Sequence, residues 1–270
     1  MTFDNRPTWD SCSKKSKQPV QPRPARTARV RARPDRAEPN PVDSKTFGRV
    51  TVTLPRLDEP GLYLSNVTSL DSARGIVQDF QYGDTELRDL DLTDTSLITG
   101  RVSGLRADRV QFDKVRLDSV EFDTCDLATA RISDSKLSRA VFRNCKIMGA
   151  NLTGLTLDNV LFENCKLDYA GFEQVRATGP VAFSKCVLTE ASFTGCDLGG
   201  TVLDACALRL AEFGRGKYQG LDLRGNDLTS LRGVANLARV IIDRAQQAEL
   251  AEALIAELDV TFGDTLDERR

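Results

Sequence analysis

Five cysteines keep an almost fixed spacing: Cys125, Cys145 and Cys165 are 20 residues apart, Cys186 follows after 21 and Cys206 after 20. Thiols at regular intervals suggest a zinc site or a redox device. A linear stack, however, cannot converge four ligands around one tetrahedral ion. A disulfide between stacked neighbours is allowed by distance, but parallel inward side chains and a reducing compartment argue against it. The column is read as core packing, with Cys acting as a small hydrophobe. The chain has no His, which removes the commonest general base and the commonest zinc ligand. It also has no Gly-rich phosphate loop. Its many Asp residues could suggest catalytic carboxylate pairs, but they recur because the sequence recurs, as solvated turns. The expectation is a protein that is not an enzyme and has no cofactor.

The element that positions these residues is a five-residue beat from about Leu62 to Leu231. Every fifth position from Val77 is apolar, through Leu97, Phe122, Leu127, Phe142, Leu152 and Phe162 to Phe172. The register slips by one residue near Pro180 and resumes at Phe183, Leu188 and Phe193. Two residues before each of these stands a second, smaller set, among them Val120, Cys125, Ala130, Ala140 and Cys145. A helix needs apolar spacings of three and four, and a simple strand alternates without interruption. Residues two apart share one face of an extended segment, so each pair points inward and the chain turns within the next two residues. Those corners carry Asp118–Ser119, Arg143–Asn144, Thr153–Gly154 and Asp158–Asn159, types suited to turns. The recurrence at 20, repeated by Phe122, Phe142 and Phe162 with Phe183 at 21, means four sides per coil. Like residues then stack along a narrow core.

Ala150-Asn151-Leu152-Thr153-Gly154 and Cys196-Asp197-Leu198-Gly199-Gly200 closely match a small residue, Asp or Asn, Leu or Phe, and two small or polar residues. In this the chain resembles the pentapeptide-repeat family over roughly two thirds of its length. The resemblance implies a right-handed quadrilateral β-helix. The expected fold class is therefore an all-β solenoid with a C-terminal α-helical cap and a disordered N-terminal tail.

Three segments follow. Residues 1–45 hold 11 Lys or Arg against 5 Asp or Glu and are rich in Pro. Such a composition buries too little apolar surface to offset ordering entropy, so a disordered basic tail able to contact nucleic acid is expected. Residues 46–231 form the repeats, opened by the alternating Val50, Val52 and Leu54. Residues 232–270 turn helical: Asp243 and Gln246 resemble a capping box, and Leu250, Leu254 and Leu258 with Ala251 and Ile255 form an apolar stripe. The stripe is expected to cap the open end of the core. Similarity to the family adds dimerisation through the same segment. No apolar run is long enough to span a membrane, and Met1-Thr2-Phe3-Asp4 lacks a secretory core, so a cytoplasmic location is expected.

Two surface features stand out. Val141, Leu161, Ala182 and Val202 occupy outward positions on one face in four successive coils. This marks either a partner interface or a seat for the segment around Phe47 to Leu54. Acid gathers at Asp79, Asp84, Glu86, Asp89, Asp91 and Asp94, against Arg88 alone. Characterised family members include antibiotic-resistance proteins that mimic duplex DNA and bind type II topoisomerases, so the resemblance implies gyrase as a partner, with a general interaction scaffold as the alternative. The charge fits mimicry only locally. Eight coils at about 4.8 Å would match about 20 or more phosphates. Residues 46–270 carry a net charge of −8, interrupted midway by Arg131, Lys136, Arg139, Arg143 and Lys146.

Overall fold

The computed structural model describes residues 43–72 and 74–263. After an antiparallel hairpin, β1 (Ser44–Phe47) and β2 (Val50–Thr53), come β3 (Ser65–Asn66), β4 (Ile76–Gly83), β5 (Glu86–Thr93), β6 (Ser96–Ser103), β7 (Arg106–Asp113) and β8 (Arg116–Asp123). Strands of two to eight residues follow to Glu212–Phe213, and then, among the described residues, an α-helix, α1 (Gln247–Glu257). Successive coils pair in parallel: β4, β6 and β8 belong to a nine-stranded sheet, β5 and β7 to a seven-stranded one. The expected all-β solenoid with a C-terminal helix is what forms. Ser44 and Lys45, read from sequence with the tail, belong to β1. The Asp43 carbonyl accepts from the Leu54 N–H at 2.8 Å, and residues 1–42 lie outside the described residues.

The coil closes because its corner residues accept a left-handed backbone. Ser119, Asn144, Asn159 and Asn164 all have φ between 52° and 58°, a region that short polar side chains tolerate. The inward pairs stack in register, Phe122 on Phe142 on Phe162 on Phe183. Their ring centroids are 5.0, 5.0 and 4.8 Å apart and their planes within 10° of parallel. A second stack, Phe172, Phe193 and Phe213, meets the first edge-on, with Phe172 at 84° to Phe183. The register slip is taken up at Pro180, whose carbonyl accepts from the Val160 N–H at 3.1 Å. Phe80, Leu90, Leu105 and Leu155 depart from the small-residue rule at the second inward position. Phe80 is accommodated because Gly100 lies above it, where a Cβ would sit 2.1 Å from the ring.

The C-terminal end is sealed by polar side chains as well as by apolar ones. The inward column that runs through Cys186 and Cys206 continues with Asn226, fully hydrogen-bonded to the backbone. Gln246 follows, donating to the carbonyls of Leu223 (3.0 Å) and Asn226 (2.6 Å). The Asp243–Gln246 capping box is present. Glu249 and Glu257 accept the N–H groups of Leu228 and Val234, which the absent next coil would otherwise leave unpaired.

Candidate functional site

The cysteine column is structural. Cys125, Cys145, Cys165, Cys186 and Cys206 are free and buried. The last four thiols donate to the carbonyls of Phe122, Phe142, Phe162 and Phe183 at 3.2 to 3.5 Å. The neighbouring thiols and burial push Cys145 and Cys186 well above the ordinary thiol range. Burial takes Cys196, in a separate column, up to about 11. All six described cysteines are buried, so none presents an accessible nucleophile. Among the described residues no group of three or more His, Cys, Asp or Glu could hold a metal.

The outward apolar column does not face solvent. Val141, Leu161, Ala182 and Val202 are 0–5 % exposed and form a second apolar cluster with Phe47 and Val52 of the hairpin. A charged ladder closes its flank. Arg101 bridges Asp58 (3.1 Å) and Glu121 (3.4 Å), Arg143 bridges Glu121 and Glu163 (3.2 Å to the latter), and Lys45 of β1 reaches Glu163. Thr53 N–H donates to Asn159 Oδ1 at 2.9 Å. At the far end the hairpin turn rests on an ion pair between the buried Asp222 and the half-exposed Arg224, at 2.7 Å. Gly48, at φ 54°, makes the turn close against this pair, where a Cβ would lie 2.8 Å from the Arg224 guanidinium. Of the two readings of this column, the structure assigns it to the chain's own hairpin. The outward residues are apolar because they form a second interior.

Hairpin docking is therefore expected to be sensitive to acid. Burial disfavours the Glu163 carboxylate, but Lys45 and Arg143 outweigh it and hold its pKa below the ordinary value. A depressed carboxylate contributes stability above its unfolded pKa, about 4.3, and that contribution is lost as pH falls through the depressed value. The methyl signals of Val52 and Leu161 are expected to stay put from neutrality to about pH 4.3 and to shift below it. Glu163→Gln should remove that step.

The six carboxylates near the solenoid's start do not share a face. They are contiguous in sequence and one coil takes 20 residues, so they encircle a single coil: Asp79 lies on β4, Glu86, Asp89 and Asp91 on β5 in the other sheet, and Asp84 and Asp94 at corners. All but the half-buried Asp79 are exposed. Glu86 pairs with Arg106 at 3.6 Å and Asp89 with Arg109, which holds the Asp89 pKa below its ordinary value. Among the described residues Asp79, Asp84, Asp91 and Asp94 make no ion pair. The arrangement is an acidic ring at one end, above which the columns alternate in sign.

The candidate cap residues divide. Ala253 is buried, and Leu250 and Leu254 pack half-buried against the core. Ile255 and Leu258 are 37 % and 61 % exposed. The packed face runs Gln246, Leu250, Ala253, Leu254, so Ala251 and Ile255 of the expected stripe turn outward on the helix, and Leu258 lies past its end at Glu257. No described helix is long and apolar enough to cross a membrane.

The family model described as a pentapeptide repeat region matches residues 107–172. Among solved structures, one of QnrB1, a plasmid-mediated fluoroquinolone resistance protein, is 20 % identical and covers 74 % of this chain and 96 % of its own, with a TM-score of 0.34. HetL, a pentapeptide repeat protein involved in heterocyst differentiation regulation in the cyanobacterium Nostoc sp. strain PCC 7120, is 16 % identical and covers 62 % of this chain and 86 % of its own, with a TM-score of 0.35. No curated protein matches the chain. Residues 107–172 thus match a pentapeptide repeat region, and parallel coils of the same kind run on either side of them.

Proposed function

We propose that this chain is a non-catalytic binding rod whose partner is a protein that grips duplex DNA, a type II topoisomerase such as gyrase. The observation that supports this is the acidic ring. Four carboxylates without ion-pair partners, Asp79, Asp84, Asp91 and Asp94, are held on a rigid coil at one end of the solenoid. The body above it mixes signs, so the contact is end-on rather than along the rod's whole length. The family resemblance and the fluoroquinolone resistance of QnrB1 extend the proposal to protection of gyrase from its inhibitors. Ile255 and Leu258 supply an outward apolar surface for a homodimer, and the basic segment 1–45 supplies nucleic-acid contact. The scaffold alternative loses its main surface, since the apolar column is covered.

The test is competition. Full-length protein immobilised on a sensor should capture purified gyrase, and linear duplex DNA should displace it. Raised salt should weaken the capture, because exposed charges are screened beyond about 8 Å at physiological ionic strength. Capture that duplex DNA cannot displace would contradict occupancy of the DNA-gripping surface.

A further inference from the structure

We propose that the outer edge of β5 is a docking site for an extended, arginine-rich strand of a partner protein, added as a further parallel rung before Glu86–Thr93. This proposal does not depend on the topoisomerase reading. The seven-stranded sheet ends at β5. In later coils the residue in register with Glu86 donates its N–H to the coil before it: Arg106 to Thr85 O (3.0 Å), Asp126 to Leu105 O (2.8 Å), Lys146 to Cys125 O (2.9 Å). Residues in register with Asp91 do the same, Asn151 to Ala130 O and Gly171 to Ala150 O, both at 2.8 Å.

For β5 itself no such acceptor exists among the described residues. The chain before it lies against the other sheet instead, where Val67 N–H donates to Gln81 O at 3.0 Å, and then crosses the end with Leu70 buried beneath. Glu86 and Asp91 therefore point their N–H groups at a rung that no described strand occupies. An exposed row of unpaired backbone groups is a template for strand addition.

The chemistry of the added strand follows from how this solenoid pairs its charges. Carboxylates take a cation from an adjacent rung: Asp126 takes Lys146 at 3.0 Å and Asp197 takes Lys217 at 3.4 Å. Glu121 takes two, one from each side, Arg101 and Arg143. Glu86 and Asp89 have their cation on the later rung only, as Arg106 and Arg109, and Asp91 has none. A strand with Arg at alternate positions would complete the pattern, because alternate residues share one face. An acidic strand, or a second β5, would meet like charge.

The probe is an eight-residue peptide alternating Arg and Val, titrated into the full chain and followed by fluorescence anisotropy. Saturable binding is expected, and the same peptide N-methylated on alternate amides should not bind. Asp91→Pro removes an N–H that faces that rung, a place where strands tolerate proline. It should weaken binding about tenfold or more with little change in Tm. Glu86→Gln with Asp91→Asn keeps the backbone and should weaken binding severalfold, so the proposal remains testable should the proline variant fail to fold. Failure to bind, equal binding of the N-methylated peptide, or indifference to both variants would overturn it. So would concentration-dependent self-association abolished by Asp91→Pro, which would make a second copy the occupant.

Discussion

Phe142→Ala is expected to destabilise the protein by about 3 to 5 kcal/mol. The ring is 2 % exposed and stacked at 5.0 Å on both Phe122 and Phe162. Its backbone is fixed by ladder pairing to the coils on either side, so the neighbours cannot collapse into the space. Deletion removes the transfer energy of a buried aromatic, leaves a cavity and ends two ring contacts worth about 0.5 to 1.5 kcal/mol each. Each coil is stabilised chiefly by its neighbours, so the loss should also broaden the transition. Chemical denaturation monitored by circular dichroism provides the measurement. An unchanged midpoint would contradict the inward register.

Leu161→Lys is expected to release the hairpin while the solenoid stays folded. Leu161 is fully buried between the sheet and Phe47 and Val52. An ammonium there has no partner in an apolar cluster, and burying a charge unpaired costs several kcal/mol. The protein can avoid that cost by undocking β1 and β2, which pair only with each other. The penalty is therefore capped at the free energy of docking, and the parallel ladders through Val160 and Phe162 persist. Limited proteolysis near Gly48, with circular dichroism of the intact variant, reads both halves of the expectation. Cleavage resistance equal to wild type would contradict the hairpin as a cover.

The solenoid was readable from sequence because period five, with a superperiod of 20, matches neither of the two simple secondary structures. The Cys and Phe columns and the slip at Pro180 follow from that count alone. The hairpin was half readable: Val141, Leu161, Ala182 and Val202 reveal an apolar outer stripe, but the same pattern serves a partner or the chain's own strand. The deciding contacts, Lys45 with Glu163 and Thr53 with Asn159, join residues more than 100 positions apart. The acidic residues show the opposite limit. Neighbours in a helix or a loop would form one patch, whereas in this coil sixteen residues from Asp79 to Asp94 travel most of the way round the rod. The unpaired edge of β5 left no trace in composition, because it depends on the preceding chain following the other sheet.

The functional account rests on the acidic ring, and gyrase supercoiling assays of wild type and of a variant with Asp84→Asn, Glu86→Gln, Asp89→Asn and Asp91→Asn test it most directly. The account predicts inhibition of supercoiling, or rescue from a quinolone, at micromolar wild-type protein, with a marked loss in the variant at unchanged Tm. No effect of the wild-type protein on gyrase, or an equal effect of both proteins, would contradict it.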